Sequence, residues 1–411
     1  MTDNLISKGS MNSMSNSTHS TVIVVGGGGM GLSAAWRLAK RGVNVRVLEQ
    51  FKFLHTRGSS HTEHRIIRRT YNDDIYSRLM VAAYDYWGEL ERDSGATLMH
   101  LNGGVDFGPD DDPTLTDLIR VSRELNIPLD VMTAPEARQR FPQFNLPANF
   151  LMTFCSLNGF LAVDDCMRAK FETAGRYGAI LQDDEPVLEI IPGDHGATVR
   201  TAKATYTCDK LIVTAGPYVN NLMGQLGLNF AYTIELNQAH WFKVNDPAMF
   251  TPERFPIFIV RYDASGIGGM YGFPTFRNPG IKVSVHHSNN YLDITTYDQV
   301  PRQNTIDRVW DFMREFIPAA SLELVNVATC PYDFPPDEHF TISLHPQHRD
   351  IAVANMAGHG YKFASVVGEA LAQLALDGAS SFDLTGFDVN RFFDPSVPRR
   401  PAIHVDVQRP H

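Results

Sequence analysis

Cysteine is scarce in this chain: four in 411 residues (Cys155, Cys166, Cys208 and Cys330), none in a Cys-x-x-Cys pair. That argues against a disulfide framework and against a cysteine-built zinc centre, and it fits a reducing compartment. Positive charge is also in deficit, 36 Lys plus Arg against 46 Asp plus Glu, for a formal net charge of −10. A nucleic-acid binder needs a basic stripe to displace counterions, so that class is disfavoured. No uninterrupted apolar run approaches the roughly 18 residues of a membrane-spanning helix, so no membrane partner is expected. The opening segment MTDNLISKGSMNSMSNSTHS has no apolar centre and reads as a flexible tail rather than a secretory signal. Internal repeats are lacking too. A cytoplasmic globular protein is the expectation, and its length suggests two or three domains.

Against these absences stands a concentration of glycine near the start. Thr21 to Val25 is short, β-branched and continuous, as suits a strand buried on both faces. Gly26-Gly27-Gly28-Gly29-Met30-Gly31 follows, then a helical pattern from Met30 to Arg41 ended by Gly42, then a second strand from Val43 to Glu49. The glycine run satisfies G-x-G-x-x-G. Gly26 permits the tight turn, Gly28 lets backbone approach a pyrophosphate, and Gly31 allows close helix–strand packing. Glu49, at the end of the second strand, can accept both hydrogens of an adenosine ribose diol. An acid there disfavours a 2′-phosphate and hence NADP.

Two further strand-like runs end at glycine turns. Lys210 to Thr214 precedes Ala215-Gly216-Pro217, and Ile351 to Ala354 precedes Gly358-His359-Gly360 and a helix from Ala364 to Asp377. Between them, Thr233 to Val244 and Gly269 to His287 are rich in aromatic and β-branched residues. The predicted fold class is α/β: a Rossmann-like dinucleotide-binding domain interleaved with a mixed-sheet α+β substrate domain. The expected limits are 1–20 for the tail, 21–107, 156–228 and 327–390 for the first domain, 108–155 and 229–326 for the second, and 391–411 for a terminal arm.

Four other clusters bear chemistry, each with an ordinary structural alternative. Residues 58–69 (GSSHTEHRIIRR) put three arginines and two histidines into an acidic chain, a local positive field able to hold an anion or simply a solvated loop. Lys282, Ser284 and His286 alternate along one face of a predicted strand, after Tyr271 in Met-Tyr-Gly-Phe-Pro. A surface strand shows the same alternation. Cys330, in Cys330-Pro331-Tyr332, is by itself most simply a buried apolar residue. Gly358 to Lys362 stands before a helix, where backbone N–H groups suit an anion, or merely cap the helix.

Taken together and in order, these motifs resemble the monomeric sarcosine oxidase and N-methyltryptophan oxidase family of FAD-dependent amine oxidases, from roughly Thr21 to Asn390. The likeness rests on the glycine motif and on Gly58-Ser59-x-His61 with Arg65-Ile66-Ile67-Arg68. It continues through Tyr271-Gly272-Phe273-Pro274, Lys282 to His286 and Cys330-x-Tyr332. Asp337-Glu338-His339-Phe340, His345-Pro346 and Gly358-His359-Gly360-x-Lys362-Phe363 complete it. The resemblance implies FAD as cofactor, held by Gly26, Gly28, Gly31, Glu49, Gly358, Gly360 and Lys362 and attached covalently through Cys330. It implies that Arg68 and Lys362 bind a substrate carboxylate, that Tyr271, His286 and Tyr332 line the substrate side of the flavin, that Lys282 activates oxygen, and that His61 and Arg65 pack against the flavin. No metal is implied. The partners implied are a small amino acid and O2, and the state a monomer. The implied reaction oxidises a secondary α-amino acid to an imine, hydrolysed to aldehyde and amine, with H2O2 formed. His64 departs from the family's small hydroxyl residue, Ser60 replaces a histidine, and the loop from Arg261 to Gly269 is longer and brings Arg261 near the expected site.

Rival readings remain at this level. An NAD-dependent dehydrogenase would share the glycine turn but gives no reason for Cys330. A flavin dehydrogenase with another electron acceptor, or a non-catalytic flavoprotein subunit, would share much of the rest; Lys282 and the paired carboxylate-binding cations weigh against these.

Overall fold

The computed structural model describes residues 18–261 and 269–398. Among these, two eight-stranded sheets and one three-stranded sheet carry the architecture. The β-branched strand His19–Val25 lies inside the first sheet, parallel to Val45–Leu48 on one side and Thr205–Val213 on the other. Ile180–Gln182 and Ile351–Asn355 extend the parallel set, Thr341–Leu344 runs antiparallel beside the latter, and the hairpin of Val187–Pro192 and Ala197–Thr201 closes the far edge. Alternation divides the strand between two cores. Val22 and Val24 pack with the helices Gly29–Lys40, Asp74–Ser94, Val163–Arg176 and Ala364–Asp377, while Ile23 and Val25 join Leu211, Val213 and the hairpin. Burial on both faces is what makes these strands continuous apolar runs.

The second sheet has the order Ala320–Phe334, Thr233–Val244, Ile281–Val285, Met270–Phe273, Ile257–Val260, Gly104–Pro109, Phe150–Cys155, Asp130–Thr133. Only the pairing of Ile257–Val260 with Gly104–Pro109 is parallel. Its outer core is aromatic: Phe107, Phe144, Phe258, Phe312 and Phe316, the last two from helix Gln303–Phe316. The small sheet joins His64–Ile67 to Gly159–Ala162 and Met99–His100.

Several sequence expectations shift. The arginine-rich cluster is not a solvated loop, because His64–Ile67 is a largely buried strand. The predicted strand Ile281 to His287 ends at Val285, after which the His286 N–H donates to Gly269 O at 3.0 Å. The expected limits at 107 and 327 both fall inside strands of the second sheet, Gly104–Pro109 and Ala320–Phe334. The strand His19–Val25 starts within the limits expected for the tail, of which residues 1–17 lie outside the described residues. Of the expected terminal arm, residues 399–411 lie outside the described residues; at its expected start Arg391 is fully buried, its Nε donating to Asp337 Oδ2 at 2.7 Å.

The helical layer behind the first sheet is tied by charge. The Glu369 side chain, 3% exposed, accepts from Arg37 Nε at 2.6 Å and from Arg41, and Arg37 reaches Glu89 at 2.6 Å. Burial works to raise the Glu369 pKa, but Arg37, Arg41 and Gln373 outweigh it and hold it below the ordinary value. A depressed carboxylate pKa stabilises the fold above the unfolded value and loses that contribution as pH falls through the folded one. Glu369→Ala, which strands two arginines, should lower unfolding free energy by about 3 kcal/mol in urea titrations at pH 7. The gap between wild type and variant should close below the ordinary glutamate range; a gap independent of pH would rule out the ion pair as its source.

Candidate active site

A cavity of ≈ 580 Å³ runs along the ends of the first sheet's strands, from the glycine run and Glu49 to Arg68, Lys362 and Arg261. At its nucleotide end the backbone leaves no room for side chains. Gly26 has φ +98°, and a Cβ there would lie 2.4 Å from Thr214 O; a Cβ on Gly31 would lie 1.8 Å from Gly26 O. Gly28 caps the helix Gly29–Lys40 without any side-chain acceptor. Glu49 is buried beside the turn, accepting from Gly27 N at 2.7 Å and Phe51 N at 2.9 Å. Ser60, noted from sequence only as a departure, lines the cavity and accepts from Gly29 N at 2.9 Å. Gly358 and Gly360 line the same cavity.

At the other end one aromatic ring gathers two cations. The Arg68 guanidinium lies 4.1 Å and Lys362 Nζ 5.8 Å from the Tyr71 ring centroid. Both side chains are buried, and Lys362 Nζ donates to His359 O at 2.7 Å. Burial pushes the Lys362 ammonium well below the usual lysine range, with Arg68 and Arg65 adding to the fall. Trp87, fully buried, fixes the backbone by donating to Lys362 O at 2.8 Å. Arg68 Nη1 approaches Asp106 Oδ1 at 3.3 Å, and Arg261 Nε donates to the same oxygen at 2.9 Å. Asp106 was missed from sequence, where its one signal is a lone acid in the apolar strand Gly104–Pro109. Residues 262–268 of the long loop predicted after Arg261 lie outside the described residues.

Between the two ends, Tyr271 and Tyr332 join hydroxyl to hydroxyl at 2.8 Å, and the His286 ring sits 5.8 Å from that of Tyr332. These three and Arg65 form part of the cavity wall. His61, Lys282 and Cys330 are buried around Arg65. Arg65 Nη2 lies 3.1 Å from Cys330 Sγ, and burial pushes that thiol up while Arg65 and Lys282 pull it down. Lys282 Nζ donates to His64 O at 2.7 Å and Thr62 Oγ1 at 3.3 Å. Its pKa falls well below the lysine range through burial and then Arg65. Thr62 holds φ +77°, a strained conformation for a β-branched residue, and its Oγ1 accepts from both Arg65 and Lys282. His61 is pushed down to about 3 by burial, Arg65 and Lys282, and is therefore neutral; its buried Nε2 has no hydrogen-bond partner. The His64 ring stacks on Phe273 at 5.0 Å and packs edge-on to Phe160, so this departure contributes packing while its carbonyl holds Lys282.

The arrangement fits FAD. A turn with no room for side chains and a glycine N-cap suit a pyrophosphate, and the buried Glu49 carboxylate at the same end of the cavity suits a ribose diol. Among the described residues no group of His, Cys, Asp and Glu is arranged to hold a metal.

Comparison with known proteins agrees. The model of the FAD dependent oxidoreductase family matches residues 21–374. The chain is 36% identical over 376 residues to the monomeric sarcosine oxidase of Streptomyces avermitilis, covering 90% of this chain and 97% of that one. It is 28% identical over 375 residues to N-methyl-L-tryptophan oxidase of Yersinia pestis, covering 90% and 99%. The open form of NikD, an amino acid oxidase essential for nikkomycin biosynthesis, superposes with a TM-score of 0.80 at 25% identity, over 90% and 97% of the two chains. The chain belongs to the FAD-dependent oxidoreductase family, in the group of the sarcosine and N-methyltryptophan oxidases.

Proposed function

We propose that the protein oxidises a secondary α-amino acid at a CH–NH bond, with O2 as acceptor. For an N-methyl substrate, amino acid, water and O2 give the demethylated amino acid, formaldehyde and H2O2. The observation that carries this reading is the pairing of Arg68 and Lys362 over one tyrosine ring, at the far end of a cavity that begins in a dinucleotide cradle. FAD, when bound, supplies the two-electron redox chemistry. Arg68 and Lys362 hold the substrate carboxylate, and fixing the reacting carbon in this way removes much of the entropic cost of the reaction. Buried cations nearby disfavour a second positive charge, so the amine is bound in its neutral form. The Tyr332 phenol, pushed well above its usual pKa by burial and the neighbouring Tyr271, stays protonated and hydrogen-bonds rather than acting as a base. His286 shapes the same wall. Lys282 is the donor we assign to charge developing on oxygen, and Cys330, beside Arg65, the thioether link to the flavin. His61 and Arg65 support the flavin, with Gly26, Gly28, Gly31, Glu49, Gly358 and Gly360 around the dinucleotide. A cytoplasmic monomer is part of the proposal. No helix among the described residues is long and apolar enough to cross a membrane.

Anaerobic mixing with sarcosine, N-methyl aromatic amino acids, pipecolate and proline should bleach the bound flavin with at least one of them; no bleaching by any carboxylated amine would sink the assignment. Lys282→Met should slow reoxidation by O2 about 10²-fold or more while leaving flavin reduction much less affected. Stopped-flow traces showing the reverse pattern would remove Lys282 from the oxygen step. Acid precipitation should carry the yellow colour with wild-type protein and release it from Cys330→Ser; release from both would exclude the covalent link.

A further inference from the structure

We infer that Arg261 is a specificity-determining residue that receives a second, distal carboxylate, so that the pocket takes an N-substituted acidic amino acid. This rests on the function proposed above and names its substrate class. Arg261 follows the strand Ile257–Val260, its backbone N–H bound to Phe107 O at 2.8 Å, and its side chain reaches the cavity wall only 8% exposed. Burial leads in lowering its pKa in spite of Asp106, so the charge sits there at a cost.

Arg68 and Arg261 share one fully buried carboxylate, Asp106, and Lys362 lies beside Arg68 on the Tyr71 ring. Asp112 also lines the cavity and its charge favours the Arg261 cation, though less than burial opposes it. Its Oδ1 caps the helix Pro113–Glu124, accepting from Leu115 N at 2.8 Å and Thr114 Oγ1 at 2.6 Å, and it forms no ion pair with Arg261. What Arg261 lacks is therefore an acceptor for its fork, not merely a counter-charge.

The donors tell the same story. Both guanidinium groups crowd one Asp106 oxygen, Arg68 from 3.3 Å and Arg261 from 2.9 Å through Nε. Arg261 Nη2 is 2.8 Å from that oxygen yet poorly aligned to donate to it, and it and Arg68 Nε are buried with no hydrogen-bond partner. A guanidinium fork grips a carboxylate through two parallel bonds, and neither arginine has that geometry with Asp106. A second carboxylate on the substrate would supply it.

The test compares racemic N-methylglutamate with its neutral isostere N-methylglutamine on the flavin-loaded enzyme. Wild type should favour the acid at least tenfold in kcat/KM. Because losing Arg261 also tightens Asp106 on Arg68, both substrates will suffer in Arg261→Met, so the ratio is the readout. It should fall about 30-fold, and Arg261→Lys should restore part of it. A wild-type ratio at or below one, or equal losses on both substrates, would overturn the inference. Should the Met variant fail to load flavin, perturbation of the wild-type flavin spectrum decides: glutarate binding at least tenfold tighter than butyrate supports the site, and equal or weaker binding refutes it. Flavin bleaching by N-methylglutamine or by sarcosine without any preference for the acid defeats this inference alone. No bleaching by any carboxylated amine defeats the proposed function as well.

Discussion

Buried positive charge is the constraint on which the rest of this structure turns. Arg68, Arg261, Lys282 and Lys362 have buried side chains and Arg65 is partly buried; Asp106 pairs with Arg68 and Arg261, and the buried Glu63 attracts Lys282 without an ion pair. The remaining compensation is made from weaker parts: the carbonyls of His64 and His359, and the faces of Tyr71, Phe273 and Trp241. Such partners hold a cation in place without neutralising it. What is left is a field that awaits an anion, which is how an acidic chain can maintain a cationic site.

The topology explains how these charges meet. Lys282 and Tyr271 sit on adjacent strands of the second sheet, Arg65 on the small sheet, Lys362 in the turn that follows a strand of the first sheet, and Cys330 and Tyr332 on the long strand Ala320–Phe334. That strand ends in Asp333 and Phe334, and Asp333 Oδ2 accepts from Asn355 Nδ2 at 2.6 Å, tying the second sheet to the first beside the cavity. A cleft between sheets is thereby made rigid at the point where cofactor and substrate must be held in register.

Much of this was legible in the sequence. The nucleotide cradle could be read because its demands are local: a turn without Cβ atoms, a β-branched strand before it, a helix after it. The helix Ala364–Asp377 and the strand Thr233–Val244 appear with the limits that periodicity implies. The rest depended on partners distant in the chain. Nothing local marks Asp106 as the counter-charge of Arg68, 38 residues away, or of Arg261, 155 residues away. Composition allowed a solvated loop at 58–69, whereas pairing with Gly159–Ala162 makes His64–Ile67 a largely buried strand. Long-range pairing overrode local polarity there, and motif order, not periodicity, had singled the segment out.

The two ends of the site are built from different materials, and this bears on how such enzymes diverge. Around Lys282 the holding groups are largely backbone: the His64 carbonyl, the Ser59 carbonyl on Arg65, and the strained Thr62 turn. A backbone carbonyl accepts a hydrogen bond whatever side chain its own residue carries. His64 can therefore replace a small hydroxyl residue, filling space between Phe160 and Phe273, while the lysine keeps its partner. Around Arg68 the holding groups are side chains: Tyr71, Asp106 and Arg261. The groups that hold the substrate end can thus change with the side chains, whereas those that hold Lys282 change mainly with the chain path.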